Sequence, residues 1–532
     1  MEDSTDRMSQ LPEFINHHIM SFLDSPKERI RMSVLSKNWF GITASFPILD
    51  FDIRKFEGFI SFQSLENGDF IDKFFKYVEY TTSRFCHQNV SAHTFKLITR
   101  LWDATQVDIV HKCVELILIK GVQVLVIDIR FSYLPSLLPM YGRVSNKLVS
   151  ASSLTSLTLH GCELPSSLMV DTIKFKSLKL LKLKYVRMDE KMIKHLTTSC
   201  PLLEELTLKI CGRDISRLCV YGLQNLQRVK FFTACIVDII EIEAPNLCFL
   251  QLGRICGRAP CLNVASCKKL TTVCYYGDPS PTWKGLADFS CSFPYLETLF
   301  LDLPEICKSL KLSSQSLRTF VLHSDDSDFE QLDIDTPNLL SFEYTFSDSD
   351  SPFAVKRDSV SSKSRMECHH LGFVDALWFK KLRQFLDKKV RFKELKLCIW
   401  TFPSEVEELR TIQSPPFELD HVDLEPDCIR NLSDYLAVVD SVLWCCRPQS
   451  LTLESSFPSI NFEEWIHIVK FTYEKLLLQE DEGQTNIHIV TSSSSNAKKH
   501  FSDLSSLLMA LPRDGLRPII TFIKEQVVQE AG

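Results

Sequence analysis

One short pattern limits what the centre of this chain can fold into. Leu-x-x-Leu-x-Leu, with aromatic or β-branched residues accepted for leucine, begins at Leu154, Leu178, Leu203, Leu226, Leu247, Leu270, Leu296, Leu317 and Leu339. The starts are 24, 25, 23, 21, 23, 26, 21 and 22 residues apart. On an extended chain the fourth and sixth positions point to the same side, because side chains alternate. A single copy therefore has an apolar edge that it cannot cover by itself. Stacked neighbours cover it, so the pattern predicts a row of short parallel strands rather than a rounded core.

A period of roughly 20–29 residues is that of leucine-rich repeats. The expected fold class is α/β: a helical N-terminal module, then a curved leucine-rich-repeat solenoid with strands on the concave face and helices or loops outside, closed by a C-terminal helical cap. Cys162 and Cys211 fall at the ninth position of the repeat, where Asn or Cys serves as a core residue. The pattern loosens at Val122–Ile127 on one side, and at Phe392–Leu397, Leu419–Leu424 and Leu451–Leu453 on the other. The implied segments are 1–54 for the N-terminal module, 55–120 for a mostly helical bridge and 121–345 for the regular repeats. A Ser- and charge-rich flexible insertion follows at 346–366, divergent repeats at 367–455 and the cap at 456–532. The cap is expected to hold helices at Phe462–Gln479 and at about Leu516–Gln529.

The first fifty residues read differently. Leu11 to Leu23 is amphipathic, with Ile15, Ile19, Phe22 and Leu23 spaced to share one helical face. A second helix starts at Pro26, a residue tolerated in a first turn, with Glu28 favourable there. A third follows Leu35-Ser-Lys-Asn-Trp39. Three short helices cannot bury a sufficient core alone, so the unit must lean on a neighbour or a partner.

The segment from about Met8 to Asp52 resembles an F-box. The resemblance is carried by Leu11-Pro12, Ile19-Met-Ser-Phe-Leu23, Ser33-Val-Leu-Ser-Lys37, Trp39 and Phe46-Pro-Ile-Leu-Asp-Phe-Asp52. It is similar to the large plant group of F-box proteins that carry leucine-rich repeats, departing from it at Asn38 and at Phe40-Gly-Ile. The bland alternative is a helical cap on the next domain. The resemblance implies a substrate receptor of a Skp1-cullin-F-box (SCF-type) ubiquitin ligase. Leu11, Pro12, Ile15, Ile19, Val34, Leu35, Ser36, Lys37 and Trp39 would then face or support a Skp1-like adaptor and, through it, a cullin scaffold. The repeats would hold a target protein while other subunits perform the transfer chemistry. A non-ligase scaffold and a small-ligand receptor are the competing classes.

The repeat register predicts which side chains line the concave face. Copies starting at Leu178, Leu203 and Leu226 offer Lys182, Lys184, Lys209, Arg228 and Lys230 against the single acid Glu205, and later copies offer Phe249, Tyr276 and Phe300. Strands about 4.8 Å apart would gather the cations into a patch for an acidic or phosphorylated segment, with the aromatics as anchors. The alternative is a solvated face that keeps the array soluble.

Composition narrows the rest. A 45% hydrophobic, 24% charged chain with net charge −7 matches globular proteins and gives no general reason to bind nucleic acid. No apolar run approaches the roughly 20 residues of a membrane span, and the acidic Met-Glu-Asp-Ser-Thr-Asp start lacks a secretory signal. The 19 cysteines suit a reducing compartment, nucleus and/or cytoplasm, as small buried hydrophobes. Cys256, Cys261, Cys267 and Cys274 lack a Cys-x-x-Cys pair, and Cys445-Cys446 are adjacent, so no metal and no cofactor is expected. No catalytic motif is present, and His17-His18 and His369-His370 read as surface or partly buried pairs. A non-catalytic receptor is the expectation.

Overall fold

A computed structural model describes residues 11–23, 26–57, 68–130, 142–165, 168, 175–210, 215–233, 236–255, 260–277, 293–303, 309–324, 331–346, 355–356, 364–387, 392–401, 416–426, 431–454, 460–479, 485–492, 498–513 and 517–526. Cys211 and Cys256 lie outside these residues, as does most of the insertion expected at 346–366. The chain forms two compact units, residues 1–268 and 269–532, each organised around its own row of parallel strands.

In the first unit the row begins with Ile48–Asp52, immediately after the N-terminal module. It pairs in parallel with Thr94–Thr99, then Val124–Ile129, Ser156–His160, Leu180–Lys184, Glu205–Ile210, Arg228–Thr233 and Phe249–Ile255. In the second unit the row runs Thr272–Gly277, Thr298–Leu303, Thr319–Ser324, Ser341–Phe346, Ser364–Phe373, Phe392–Thr401, Phe417–Pro426 and Cys446–Leu453. The inward triplets of all nine regular repeats, from Leu154, Leu157 and Leu159 to Leu339, Phe342 and Tyr344, are 3% exposed or less. The first, fourth and sixth positions of the pattern are the core of both rows.

Three features depart from the sequence reading. The bridge at 55–120 is not all helix. Between the helices Gly68–Cys86 and Ala104–Ile119, Thr94–Thr99 extends the row, with Phe95 and Leu97 buried. The outer sides of several repeats carry strands instead of helices or loops. Arg217–Val220, Ile239–Ile242 and Cys261–Asn263 pair in parallel, and so do Ser309–Ser313, Gln331–Asp335 and Val355–Lys356. The pairs Leu218/Val220 and Ile240/Ile242 are buried in alternation, the period of a strand and not of a helix. Finally, the second expected terminal helix is a strand, Ile519–Gln526, whose alternate residues Ile520, Phe522 and Lys524 turn inward.

That strand pairs antiparallel with Cys446–Leu453 and with Thr485–Ser492, which pairs antiparallel with Lys498–Phe501. The cap is therefore a β element joined by the helix Phe462–Leu478, which starts with a capping box between Asn461 and Glu464. Its outermost strand exposes Lys498, Lys499 and His500. Charged side chains on an edge strand discourage further pairing with another chain.

Candidate docking and binding surfaces

The N-terminal module consists of α1 (Glu13–Ser21), α2 (Pro26–Ser33) and α3 (Lys37–Ala44). Ser36 caps α3 by accepting a hydrogen bond from the Trp39 N–H at 3.2 Å. The core is small: Met20, Trp39, Ile42 and Phe46, with Met32 and Ile48 against them. On α1 the inward residues are Asn16 and Met20, one turn apart, and the Asn16 amide donates to the Leu11 carbonyl at 3.0 Å. Ile15 and Ile19 are only half-buried, and Phe22 lies past the helix end with 71% of its surface exposed. The apolar face read from the sequence is thus not the core face.

The residues expected to meet or support an adaptor divide accordingly. Trp39 is 4% exposed and structural, and Ser36 is a cap. Val34 is 78% and Leu35 69% exposed, and Leu11, Pro12 and Lys37 also face solvent. Phe14 (69% exposed), Phe22, Ile30 and Phe40 join them, none of which was expected among the adaptor-facing residues. These are many large apolar groups to leave in water on so small a module.

The module is fastened to the helix Gly68–Cys86. The Arg84 guanidinium lies 3.7 Å from the centre of the Phe40 ring, donates to the Phe40 carbonyl, and reaches the Thr43 hydroxyl at 3.1 Å. A cation–ring contact plus hydrogen bonds of this kind contributes about 1–2 kcal/mol. Replacing Arg84 with Ala should speed hydrogen exchange of the α3 amides roughly tenfold while leaving the repeat strands protected. Unchanged α3 exchange would show that the contact fastens nothing.

On the first unit's row, Leu180, Lys182, Lys184, Glu205, Lys209, Arg228, Lys230 and Phe232 project from the face opposite the inward leucines and are half-buried or exposed. Lys184 stands directly opposite Lys209 in register, and Arg228 opposite both Glu205 and Phe249. The cations are brought together, and each of four has a partner. Lys182 pairs with Glu205 at 3.8 Å, Lys209 sits 4.5 Å over Tyr185, and Arg228 and Lys230 lie 5.6 and 5.3 Å over Phe249. Two lysines facing each other across a ladder are mutually destabilising.

Tyr185 is a further residue that the pattern did not reveal. Its φ is +52°, in the left-handed region, where the preceding repeat has Gly161 at +64°. A bulky residue there costs of order 1–2 kcal/mol. Its ring stacks on His160 with centroids 5.1 Å apart, and His160 Nδ1 meets the Asp128 carboxylate at 2.6 Å. Burial would raise the Asp128 pKa, but contact with His160 and Arg130 holds it below the usual carboxylate range. The alignment of Tyr185 with Gly161 in successive repeats was the signal available.

In the second unit, Tyr276 and Phe300 pack side by side, ring centroids 4.8 Å apart, and Phe300 meets the edge of His323 at 4.8 Å. On the same row of strands, Glu343, Glu367 and His369 bring one ligand atom each within 4.8 Å of one another. His369 is partly buried, within the surface or partly buried range expected, and it is part of a polar cluster. Of the thirteen described cysteines eight are buried as core groups, four are half-buried and Cys261 is exposed. Burial pushes the thiols of Cys113 and Cys200 up, to about 11 and about 12, which disfavours the reactive thiolate.

Comparison with known proteins agrees with the repeats. Residues 110–284 match the family model described as FBD-associated F-box protein At5g56370, LRR repeats. The chain is similar to plant F-box/leucine-rich-repeat proteins over about half of its length. It is 26% identical over 259 residues to the FBD-associated F-box protein At1g60410 of Arabidopsis thaliana, covering 48% of this chain and 58% of that one. It is also 26% identical over 268 residues to F-box/FBD/LRR-repeat protein At5g22700, covering 47% and 54%. F-box/LRR-repeat protein 25 of the same plant is 26% identical over 253 residues, 47% of this chain and 86% of that one. In the first two cases the chain spans little more than half the relative's length. Among the described residues no helix is long and apolar enough to cross a membrane.

Proposed function

We propose that this chain is the substrate-recognition subunit of a Skp1-cullin-F-box ubiquitin ligase. The observation that carries the reading is the exposure of Val34, Leu35, Phe14 and Phe22 on a helical module with only a four-residue core. Such a surface needs a partner, and F-box modules in general take a Skp1-like adaptor. The repeats then present a target to chemistry held elsewhere, so this chain contributes proximity and orientation. Co-expression with a Skp1-like adaptor should yield a one-to-one complex through gel filtration. Failure of the two chains to co-elute would overturn the proposal.

The basic row is our candidate for target capture. Lys182, Lys184, Lys209, Arg228 and Lys230 suit an acidic or phosphorylated segment, with Phe249 beside them, while Tyr276 and Phe300 offer an apolar anchor on the second unit. The opposed Lys184–Lys209 pair favours this over a passive solvated face, because a bound anion relieves its repulsion. Joint Lys182→Glu, Lys209→Glu and Lys230→Glu substitution should lower target capture, read by proximity labelling with ubiquitin-remnant detection, by more than about tenfold. Adaptor binding should be unchanged. An unaltered set of captured proteins would remove these residues from the target site.

A further inference from the structure

We propose that Glu343, Glu367 and His369, with His323 beside them, bind one divalent transition-metal ion. The four residues come from three adjacent parallel strands. His323 lies on Thr319–Ser324, Glu343 on Ser341–Phe346, and Glu367 and His369 on Ser364–Phe373. Glu343 stands directly opposite Glu367, whereas His323 and His369 both stand opposite Thr345, one on each side. Both imidazoles thus reach toward the same central carboxylate.

Distances separate this cluster from an ordinary hydrogen-bonded network. His323 Nε2 and His369 Nε2 each lie 3.6 Å from Glu343 Oε1, and His369 Nε2 lies 3.7 Å from Glu367 Oε2. These separations exceed the roughly 2.7–3.2 Å of an N–H···O bond. They approach the spacing of about 3.4 Å between two donors bound tetrahedrally at about 2.1 Å to one ion. Both Nε2 atoms are buried without a hydrogen-bond partner, a condition that costs free energy unless something else satisfies them.

Charge points the same way. Two glutamates directly opposed across a ladder repel. Arg365 Nε lies 2.9 Å from the far oxygen of Glu367, an ion pair that leaves Oε2 turned toward His369. A second-layer contact of this kind is what fixes a metal-ligating carboxylate. Imidazole beside carboxylates selects zinc, manganese or iron over the oxygen-seeking calcium and magnesium. The side chains of the triad remain 24–31% exposed, which leaves a coordination position open to water or to a donor from a bound protein.

The full-length chain, stripped with chelator and dialysed, is titrated with Co²⁺ and, separately, Zn²⁺. One equivalent should bind, with visible cobalt bands and a rise in the thermal midpoint on adding zinc. Glu343→Gln and His369→Ala should each weaken binding at least tenfold, and His323→Ala less. Glu343→Gln keeps size and polarity, so retained circular dichroism separates lost binding from lost folding. Wild-type protein that takes up no ion, or takes it up as well as folded Glu343→Gln, would overturn the site.

Discussion

Replacing Val34 and Leu35 together with Asp should abolish capture of a Skp1-like adaptor, lowering affinity by roughly a thousandfold. Both side chains lie between α2 and α3 and project into water in the free chain, so the folded state loses little packing by the change. In a complex they would sit in a desolvated centre, where a charge without a partner is strongly unfavourable. The thermal midpoint should stay within a degree or two of wild type. Trp39→Ala makes the opposite case. Its ring belongs to the four-residue core, so adaptor binding should fail there because the module loosens. Pull-down combined with circular dichroism distinguishes the two. Retained binding by the folded Val34→Asp, Leu35→Asp chain would place the docking surface elsewhere.

The second large effect concerns the strand row itself. Leu183→Ala removes a side chain that is 1% exposed, between Leu159 and Leu208 in register, and should cost about 2–5 kcal/mol. Lys184, the next residue, points to the opposite face. Lys184→Ala should change stability by no more than about 0.5 kcal/mol, toward greater stability because it relieves the repulsion with Lys209. Urea midpoints of the two variants measure the contrast. Equal losses would mean that the pair does not straddle the two faces as described. Because each repeat touches only its neighbours, the Leu183→Ala damage should be greatest in adjacent strands, which hydrogen exchange can localise.

The inward leucines were legible in the sequence because strand alternation and a fixed repeat length leave few other ways to bury them. The short outer strands were not. Arg217–Val220 and Ile239–Ile242 have two buried residues each, too few for periodicity to separate strand from loop. Ile519–Gln526 misled for a related reason. Ile519, Ile520 and Ile523 also fit the spacing of a helical face, and only pairing with two other strands settles the period. On α1 the sequence showed an apolar stripe but not which side would be covered. Asn16, a polar residue, took the inward place by bonding to the Leu11 carbonyl. The cluster around Glu343 was hidden by distance along the chain. His323, Glu343 and Glu367 belong to different repeats, and only the strand register shows that they converge.

The direct passage from α3 into Ile48–Asp52 makes the first unit a measuring device. From that strand to Arg228–Thr233 is six pairing steps. At about 4.8 Å a step, the basic row ends about 29 Å from the strand that follows the N-terminal module. That interval is set by an integer, the number of strands, and not by a hinge or a linker. Removing one whole repeat would shorten it by a single increment, and adding one would lengthen it equally. In the proposed ligase role, the reach of a held target toward its modifying enzyme is thereby quantised.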